Sequence, residues 1–596
     1  MPGKVRTRLP TPVVPTTSAP PKPPPRRRAI VATLLLFAQI VALIFEWQWL
    51  APPAAADVSA AAGISLSGAT AAPNSNQPRL IPFTDVNPYG VNIFLQDEVE
   101  DYKKELTMQQ VSDLGAGWVK QQFPWDELEF SKGKFFDEKN NKDAWQKFDQ
   151  IVALAEKYHL RIIARLDRAP AWARPPGSSP GAPPSNLSDY ADFVAAFIKH
   201  YRGRINFIQV WNEPNLTSEW DTGKPVDPAA YAALLKAAYQ RVKQVDPNVV
   251  VLAAPLAMTT EQTSLRGNME DISYLSGMYA AGAAPYFDIL AANGYGLNDP
   301  PDKRAAFDRL NFGRASLMRA VMAQNHDELK PVWFDEYGWN AAPDSIPPDQ
   351  RIWGQVSREQ QATYTVQGIE GAARQWDWAG VFNIWYFRQV GTLPPTSAEY
   401  YFDMVNVDFT REPVYGAVQA TAHHWQVAGA GYHEELSGGV QPNATWPLRL
   451  NKQASGGAYL QVPVAGATSA APLRLTFVGN KLDLITYGDV GTLYPLLDGG
   501  SDGLAADLPH DANGPYIRAS GSQTITVVSG TSDQLPLQQH VLTLRAAEPG
   551  ATGGLDAYIV GAARSYILFY ALSGALALTL LATLLYLRRS LRRTAQ

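Results

Sequence analysis

Short apolar segments alternate with longer amphipathic ones between residues 83 and 430. The short segments are rich in β-branched and aromatic residues, so we predict strands over 90–95, 118–123, 161–166, 206–211, 249–254, 287–293, 332–334 and 381–385. Helical periodicity follows most of them, as over 147–158, 190–200, 228–245 and 358–375. Eight such units are typical of an α/β chain folded as a (β/α)8 TIM barrel. A doubly wound sheet is the alternative, but no GxGxxG or Walker motif is present.

The pattern changes between residues 434 and 560, where helical periodicity fades. Short alternating runs appear there, separated by Gly, Asp and Asn turns, at 458–462, 473–477, 481–486, 523–528 and 540–544. Such runs predict a β-sandwich that follows the barrel.

Both ends of the chain carry apolar segments beside arginines. Residues 1–28 are Pro-rich and basic and are predicted to form a cytoplasmic tail, and 29–50 a signal anchor or a signal peptide cleaved near the alanines at 54–56. Residues 51–82 have the composition of a linker. Residues 566–587 carry no charge, which predicts a transmembrane helix, and 588–596 form a basic tail. The arginines place both tails in the cytoplasm and the chain between them outside the cell membrane.

Composition narrows the function classes. The net charge of −5 argues against a nucleic-acid partner. The chain has no cysteine, which excludes disulfides, thiolate metal sites and a cysteine nucleophile. No histidine falls at a predicted barrel strand end, so we expect neither a metal nor a cofactor.

Two predicted barrel strands end at a carboxylate. The fourth runs into Trp-Asn-Glu-Pro at 211–214, where the proline stops further pairing and presents Glu213. The seventh runs into Phe-Asp-Glu-Tyr-Gly-Trp at 334–339 and presents Glu336. A pair of carboxylates at the mouth of a barrel indicates acid/base chemistry on a sugar.

These two motifs resemble clan A of the retaining glycoside hydrolases, and most closely the family thirty-nine type of β-xylosidases and exopolysaccharide-cleaving enzymes. Phe-Pro-Trp at 123–125 and Ala-Pro-Ala-Trp-Ala at 169–173 support the resemblance. It covers roughly 83–430 and implies a catalytic barrel with Glu213 as acid/base and Glu336 as nucleophile. Such enzymes need their two carboxyl groups about 5–5.5 Å apart.

The resemblance also implies roles for neighbouring side chains. Asn212 would bind the sugar 2-hydroxyl, Tyr295 would donate a hydrogen bond to the nucleophile, and Trp385 would lie under the sugar ring. Further substrate contacts are expected from Asn293, Lys120, Trp172 and Trp339.

The chain departs from the family pattern at three of its positions. Asn293 stands where histidine is frequent, which predicts a weaker or redirected hydrogen bond. Lys120 stands where an arginine is usual, and lysine lacks the planar fork of a guanidinium. Asp335 stands where a small hydroxyl residue is usual, and inside the site its charge would act on Glu336.

The second domain resembles the galactose-binding-like jelly roll. The resemblance rests on Leu-Thr-Phe-Val-Gly-Asn at 475–480, Leu-Leu-Asp-Gly-Gly at 496–500 and His-Val-Leu-Thr-Leu at 540–544. Asp498 and Gly499 are first of all a turn. A spacer and a carbohydrate binder remain equally open as the role of this domain.

The sequence therefore predicts a membrane-anchored retaining glycoside hydrolase that acts on an extracellular polysaccharide or oligosaccharide, with the lipid bilayer as its second partner. Two alternatives stay open. A catalytically weak glycan-binding protein is compatible with the three departures, and a transglycosidase would use the same residues with a sugar in place of water as acceptor. The sugar, the linkage and endo or exo action depend on loops such as 259–269 and 340–353.

Overall fold

The computed structural model describes residues 30–31, 33–42, 77–391, 393–463, 470–530, 535–547, 550–562 and 567–592. The chain divides into two compact units, of which one holds its two ends and the other residues 62–563. The predicted tail over 1–28, the alanines at 54–56 and the predicted linker up to residue 76 lie outside the described residues.

Eight parallel strands close into a barrel, which confirms the predicted TIM barrel. The strands are β1 (Tyr89–Ile93), β2 (Trp118–Gln122), β3 (Arg161–Leu166), β4 (Phe207–Val210), β5 (Val250–Ala253), β6 (Ile289–Tyr295), β7 (Val332–Gly338) and β8 (Ala379–Ile384). They follow one another in chain order around the barrel, and β1 closes it by pairing with β8. Glu213 therefore follows the fourth strand, and Glu336 lies on the seventh.

Helices surround the barrel because each carries one apolar face. They are α1 (Asp101–Asp113), α2 (Trp145–Lys157), α3 (Leu187–His200), α4 (Pro228–Val245), α5 (Asp271–Ala280), α6 (Ala315–Gln324), α7 (Arg358–Gln375) and α8 (Pro413–Ala422). Local capping sets their starts: the Asp227 side chain accepts from the backbone of Ala229 before α4, and Ser357 forms a capping box with Gln360 before α7. Such signals explain why α4 and α7 begin and end as the periodicity predicts.

Two antiparallel sheets form the sheet-rich domain predicted after the barrel. Its strands are β9 (Gly431–Glu434), β10 (Leu448–Leu450), β11 (Ala458–Gln461), β12 (Leu473–Val478), β13 (Lys481–Tyr487), β14 (Thr492–Leu497), β15 (Ile517–Arg518), β16 (Gln523–Ser529), β17 (Gln539–Ala546) and β18 (Gly554–Gly561). One sheet has the order β10-β11-β18-β13-β16, with β9 also on β18, and the other β12-β17-β14-β15.

The periodicity missed several of these strands. Pro495 lies within β14, and β18 is buried on both faces over most of its length, so neither shows a clean alternation. Asp498 and Gly499 do form the expected turn, since both have positive φ, and Leu497 and Gly500 exchange backbone hydrogen bonds. That the domain is of the galactose-binding type stays a prediction.

The sheet-rich domain closes the amino-terminal end of the barrel. Three aromatic rings pack on one another at that end, with centroids 4.9–5.2 Å apart. Trp118 packs edge to face on Phe207 and on Trp333, and Phe207 stacks on Trp333. They belong to one apolar cluster with sheet residues such as Leu448 and Leu460. The carboxyl ends of the strands, where Glu213 and Glu336 lie, are left open.

The C-terminal helix α9 (Ile567–Arg592) belongs to the compact unit that holds the two ends of the chain. Its segment Phe569–Arg589 has 21 residues and a mean hydropathy of 1.8, long and apolar enough to cross a membrane. The predicted N-terminal membrane helix over 29–50 is not supported by the described residues, where the apolar helix covers only Thr33–Ala42. Ten residues are too few to span a bilayer, and residues 43–50 lie outside the described part of the chain.

Candidate active site

Glu213 is presented by a strained backbone turn after β4. Trp211 and Glu213 both have positive φ, 70° and 36°, a region that residues with a Cβ rarely adopt. The turn is held because the Glu213 backbone N–H donates to the carbonyl of Pro255 at 3.1 Å. Strain of this kind persists where the surrounding structure fixes it, and it is frequent at functional sites.

Glu336 reaches the barrel interior because β7 contains a bulge. In the pairing of β6 with β7, Ala292 lies opposite Phe334 and Asn293 opposite Glu336, so Asp335 is the extra residue. Consecutive strand residues normally point to opposite faces. The bulge allows both Asp335 and Glu336 to contact the same interior lysine, Lys120.

Strand β6 links the two glutamates. The Asn293 side chain donates from Nδ2 to Glu213 Oε1 at 2.6 Å, and the Tyr295 hydroxyl donates to Glu336 Oε2 at 2.6 Å. Asn293 and Tyr295 are two residues apart on one strand, so their side chains share the interior face. Tyr295 thus makes the expected hydrogen bond to Glu336. The hydrogen bond of Asn293 is made to Glu213.

Lys120 neutralises the extra carboxylate. It is 2% exposed, pairs with Asp335 Oδ2, and its Nζ lies 3.7 Å from Glu336 Oε1. Burial raises the pKa of Asp335 to about 6, although the charge of Lys120 acts in the opposite direction. The closest charged partner of the Asp335 carboxylate is therefore the Lys120 ammonium, which also lies beside Glu336.

The two glutamates stand in different electrostatic environments. Burial, and next the charge of Glu336, raise the pKa of Glu213 well above its usual range. Glu336 accepts a hydrogen bond from the Tyr295 hydroxyl and lies beside the Lys120 ammonium. A carboxyl group with a raised pKa next to a second carboxyl group held by a hydroxyl and a cation is an arrangement that suits an acid and a nucleophile.

Asn212 has an unused acceptor. The side chain is 4% exposed, and its Oδ1 has no hydrogen-bond partner among the residues that the structure describes. A buried amide oxygen left unpaired is costly, so a donor from outside the protein, such as a hydroxyl group, would stabilise it.

The three predicted tryptophans differ in their surroundings. Trp385 follows β8, is half-buried and packs edge to face on Phe94. Trp172 is half-buried, donates from Nε1 to the carbonyl of Glu129 at 2.9 Å and packs on Trp125, so it fixes the loops after β2 and β3.

Trp339, one of the residues expected to contact the substrate, lies in the core. It is 1% exposed, lies among Tyr337 and Tyr364, and donates from Nε1 to the carbonyl of Asp299 at 2.7 Å. Its faces are covered by the core and are not available to a sugar. The motif around Glu336 led the prediction to a residue that the end of β7 turns away from the site.

Sequence reasoning missed a charged pair at the end of β3. Arg165 Nε donates to Asp167 Oδ2 at 2.5 Å, and Gln122 donates to Asp167 Oδ1 at 2.7 Å. The positive charge of Arg165 acts to lower the pKa of Glu213. Burial lowers the pKa of Arg165 itself, but the charges of Asp167, Glu219 and Glu336 outweigh that effect and raise it. The sequence does contain a sign of this pair: Arg165 and Asp167 are two polar residues two positions apart at the end of a strand, so they lie on the same face, the one that points into the barrel.

Asn215, which is part of a glycosylation sequon, is not available to a glycan. It is fully buried, and its Nδ2 donates to the carbonyls of Ala257 and Met269 at 2.9 and 3.0 Å. Its amide holds the turn after Glu213 against the loop after β5.

Comparisons with known proteins give structural likenesses only. No protein-family model matches the chain, and no curated protein matches it. A family 39 glycoside hydrolase from Bacteroides cellulosilyticus WH2 is 18% identical, with a TM-score of 0.44, over 77% of this chain and 83% of that one. The GH39 enzyme of Xanthomonas axonopodis pv. citri is 18% identical, with a TM-score of 0.42, over 79% and 95%.

A monomeric beta-xylosidase from Caulobacter crescentus CB15 is 15% identical, with a TM-score of 0.41, over 79% of this chain and 98% of that one. Likenesses at this level of identity concern the fold alone.

Proposed function

We propose that the chain is a membrane-anchored retaining glycoside hydrolase that cleaves O-glycosidic bonds of an extracellular polysaccharide or glycan. The observation that carries the proposal is the pair Glu213 and Glu336 at the open end of the barrel, joined through Asn293 and Tyr295 of β6. Glu213, whose pKa burial raises, serves as the proton donor, and Glu336, held by Tyr295 and Lys120, serves as the nucleophile. These are the two groups that double displacement needs.

In the first step Glu336 attacks the anomeric carbon, while Glu213 gives its proton to the departing glycosidic oxygen. The C–O bond to the leaving sugar breaks, and a bond from the anomeric carbon to a Glu336 oxygen forms. In the second step water attacks the same carbon, Glu213 takes the water proton, and Glu336 is released as a carboxylate.

Neighbouring residues serve these steps. Tyr295 and Lys120 orient Glu336, and Asn293 orients Glu213. The free Oδ1 of Asn212 is placed to accept from the sugar 2-hydroxyl, a contact that strengthens in the transition state. Trp385 offers the half-buried aromatic surface on which a sugar ring would stack.

The membrane assignment rests on α9. An apolar helix followed by Arg588, Arg589 and Arg592 supports a span with its C-terminal end in the cytoplasm. The barrel, on the other side of that span, would then meet its glycan outside the cell.

The proposal is tested with Glu336→Ala on a panel of aryl glycosides and polysaccharides. We expect turnover to fall to background, since the carboxylate that bonds to the anomeric carbon is then lost. NMR of the first-formed sugar should show the anomeric configuration of the substrate, and inversion would overturn the retaining mechanism.

A covalent label separates an enzyme from a weak glycan-binding protein. An activated 2-fluoro-glycoside should form an adduct on Glu336 that mass spectrometry locates in its peptide. Unchanged turnover in Glu336→Ala, or an adduct on another residue, would contradict the assignment.

A further inference from the structure

Two cavities adjoin each other at the closed end of the barrel, opposite the end that holds Glu213 and Glu336. They have volumes of about 430 and 490 Å³ and lie between the strand starts of the barrel and the sheet-rich domain. The two cavities share five lining residues, and we call the region around these residues the basal groove. They are His159, Arg161, Gln441, Pro442 and Arg474. Volumes of this order accommodate a small ligand or a single sugar unit.

Arg161 forms the floor of the basal groove. It is the first residue of β3, and its guanidinium carbon lies 5.5 Å from the ring centroid of Trp118, so a cation–π contact holds it in place. It makes no ion pair with any carboxylate in the described ranges of the chain. Burial lowers the pKa of Arg161 to about 10, which still leaves a cation at neutral pH.

The acidic group that acts on Arg161 is Glu435. Its side chain is 3% exposed, and burial raises the pKa of this carboxyl well above its usual range. Glu435 forms neither a hydrogen bond nor an ion pair with Arg161 in the part of the chain that the structure describes, and a guanidinium shielded from water without a bonded counter-ion is unfavourable.

Arg474 adds a second cation from the opposite wall. It lies on β12, is exposed, and makes no ion pair with a residue that the structure describes. Arg204, the remaining arginine that lines the smaller cavity, is paired with Glu156 by two hydrogen bonds of 2.7 Å. Among the residues that the structure describes, the basal groove thus carries two arginines, Arg161 and Arg474, that form no ion pair with a carboxylate.

We propose that the basal groove binds an anionic group, a carboxylate or a phosphate carried by a glycan, at a site separate from the catalytic one. Guanidinium groups recognise both anions through paired N–H donors, and the groove offers one guanidinium held over the Trp118 ring and one exposed guanidinium. The proposal of an anion site rests on the geometry of the groove. The further proposal that the ligand is part of a glycan rests on the proposed function.

The test is calorimetric titration of the full chain in detergent with three probes: D-glucuronate, inorganic phosphate and D-glucose. We expect at least one anion to bind and glucose not to bind. Arg474→Gln should weaken anion binding about tenfold or more, the usual loss when a charged hydrogen bond is removed. Arg161→Gln should do the same, and Arg474→Gln carries the test if that variant fails to fold.

Arg545→Gln is the matched control, since Arg545 is an exposed arginine on β17, the strand that pairs with β12, and lines neither cavity. Binding of glucuronate alone assigns the anion to an acidic sugar, and binding of phosphate alone assigns it to a phosphorylated one. The proposal is overturned if neither anion binds, if glucose binds as tightly, or if Arg474→Gln binds like Arg545→Gln.

Catalysis is read separately on neutral aryl glycosides. Arg474→Gln should keep wild-type turnover of these substrates, because the groove lies at the other end of the barrel. A wild-type chain without turnover would overturn the proposed function and leave the binding result standing.

Discussion

Glu213 combines a strained backbone with a buried, proton-retaining carboxyl. The positive φ of Trp211 and Glu213 turns the chain sharply after β4, and the fully buried Asn215 fixes the turn from behind. Asn293 then holds one carboxyl oxygen at 2.6 Å. A general acid placed in this way needs little reorganisation when the substrate arrives.

Replacing this acid tests its role. We expect Glu213→Gln to lower kcat about 10²–10⁴-fold on substrates with poor leaving groups, the usual contribution of general acid catalysis. The loss should be far smaller with dinitrophenyl glycosides, whose leaving group needs no proton. Glu105→Gln, at an exposed ion pair with Lys157, is the control and should leave both rates unchanged.

The pH profile gives a second readout of the same residue. Because burial raises the pKa of Glu213 well above its usual range, the loss of activity on the alkaline side, where this acid ionises, should begin at a higher pH than an ordinary glutamate would give. In Glu213→Gln that alkaline limb should disappear. An unchanged limb would assign it to another group.

At the scale of elements, the bulge in β7 decides what the site contains. Without the extra residue, Asp335 and Glu336 would alternate between the interior and the surrounding helices. With it, both contact Lys120, while Tyr337 points outward and donates to the carbonyl of Thr365 in α7 at 2.8 Å. A register shift of one residue thus produces the carboxylate–lysine–carboxylate arrangement.

The absence of cysteine from the chain makes the predicted span testable by labelling. A single cysteine is introduced as Ala562→Cys before α9 or as Ala595→Cys after it. In spheroplasts, a membrane-impermeant maleimide should label position 562, and position 595 only after permeabilisation, since the arginines keep that end inside. Equal labelling of both positions in intact spheroplasts would contradict a transmembrane α9.

At the scale of the whole molecule, the barrel and the sheet-rich domain meet around buried carboxyl groups. Asp85, just before β1, accepts from the backbone N–H of Glu434 in β9 at 2.8 Å. Ser455 joins Glu434 to Asp556 of β18, with hydrogen bonds of 3.0 and 2.8 Å. The charged or titratable groups that face this junction are Arg79, Asp85, Tyr432, His433, Glu434, Glu435 and Asp556.

Burial raises the pKa of Glu434 from 4.5 to about 8 and that of Asp556 from 3.8 to about 7. Between these limits the folded chain holds protons that the unfolded chain has released, so stability falls as pH rises from about 4 to about 8. Asp85 acts in the opposite sense, because Arg79 and His433 hold its pKa at about 2 against the effect of burial. Its contribution is present above pH 4 and is lost toward pH 2.

We therefore expect Tm to fall between pH 5 and pH 9, and Glu434→Gln to reduce that fall. One pKa unit corresponds to about 1.4 kcal/mol, so the variant should recover at least about 1 kcal/mol of unfolding free energy at pH 9 relative to wild type. Glu138→Gln, in an exposed hairpin, should follow the wild-type curve. A Glu434→Gln curve that parallels wild type from pH 5 to 9 would contradict the raised pKa.

The sequence alone determined the barrel, the order of its strands and the positions of Glu213 and Glu336 on the fourth and seventh of them. It could do so because strand and helix periodicity and capping signals are local. The sheet-rich domain was also predictable in outline, although strands interrupted by Pro495 or buried on both faces were not.

Only the tertiary structure decided which side chains meet. The bulge at Asp335, the hydrogen bond from Asn293 to Glu213, the burial of Trp339 and the two guanidiniums of the basal groove all depend on contacts between distant segments. Periodicity gives the face on which a residue lies. It does not give the register between strands or the partner across a domain junction, because packing of the whole chain sets both.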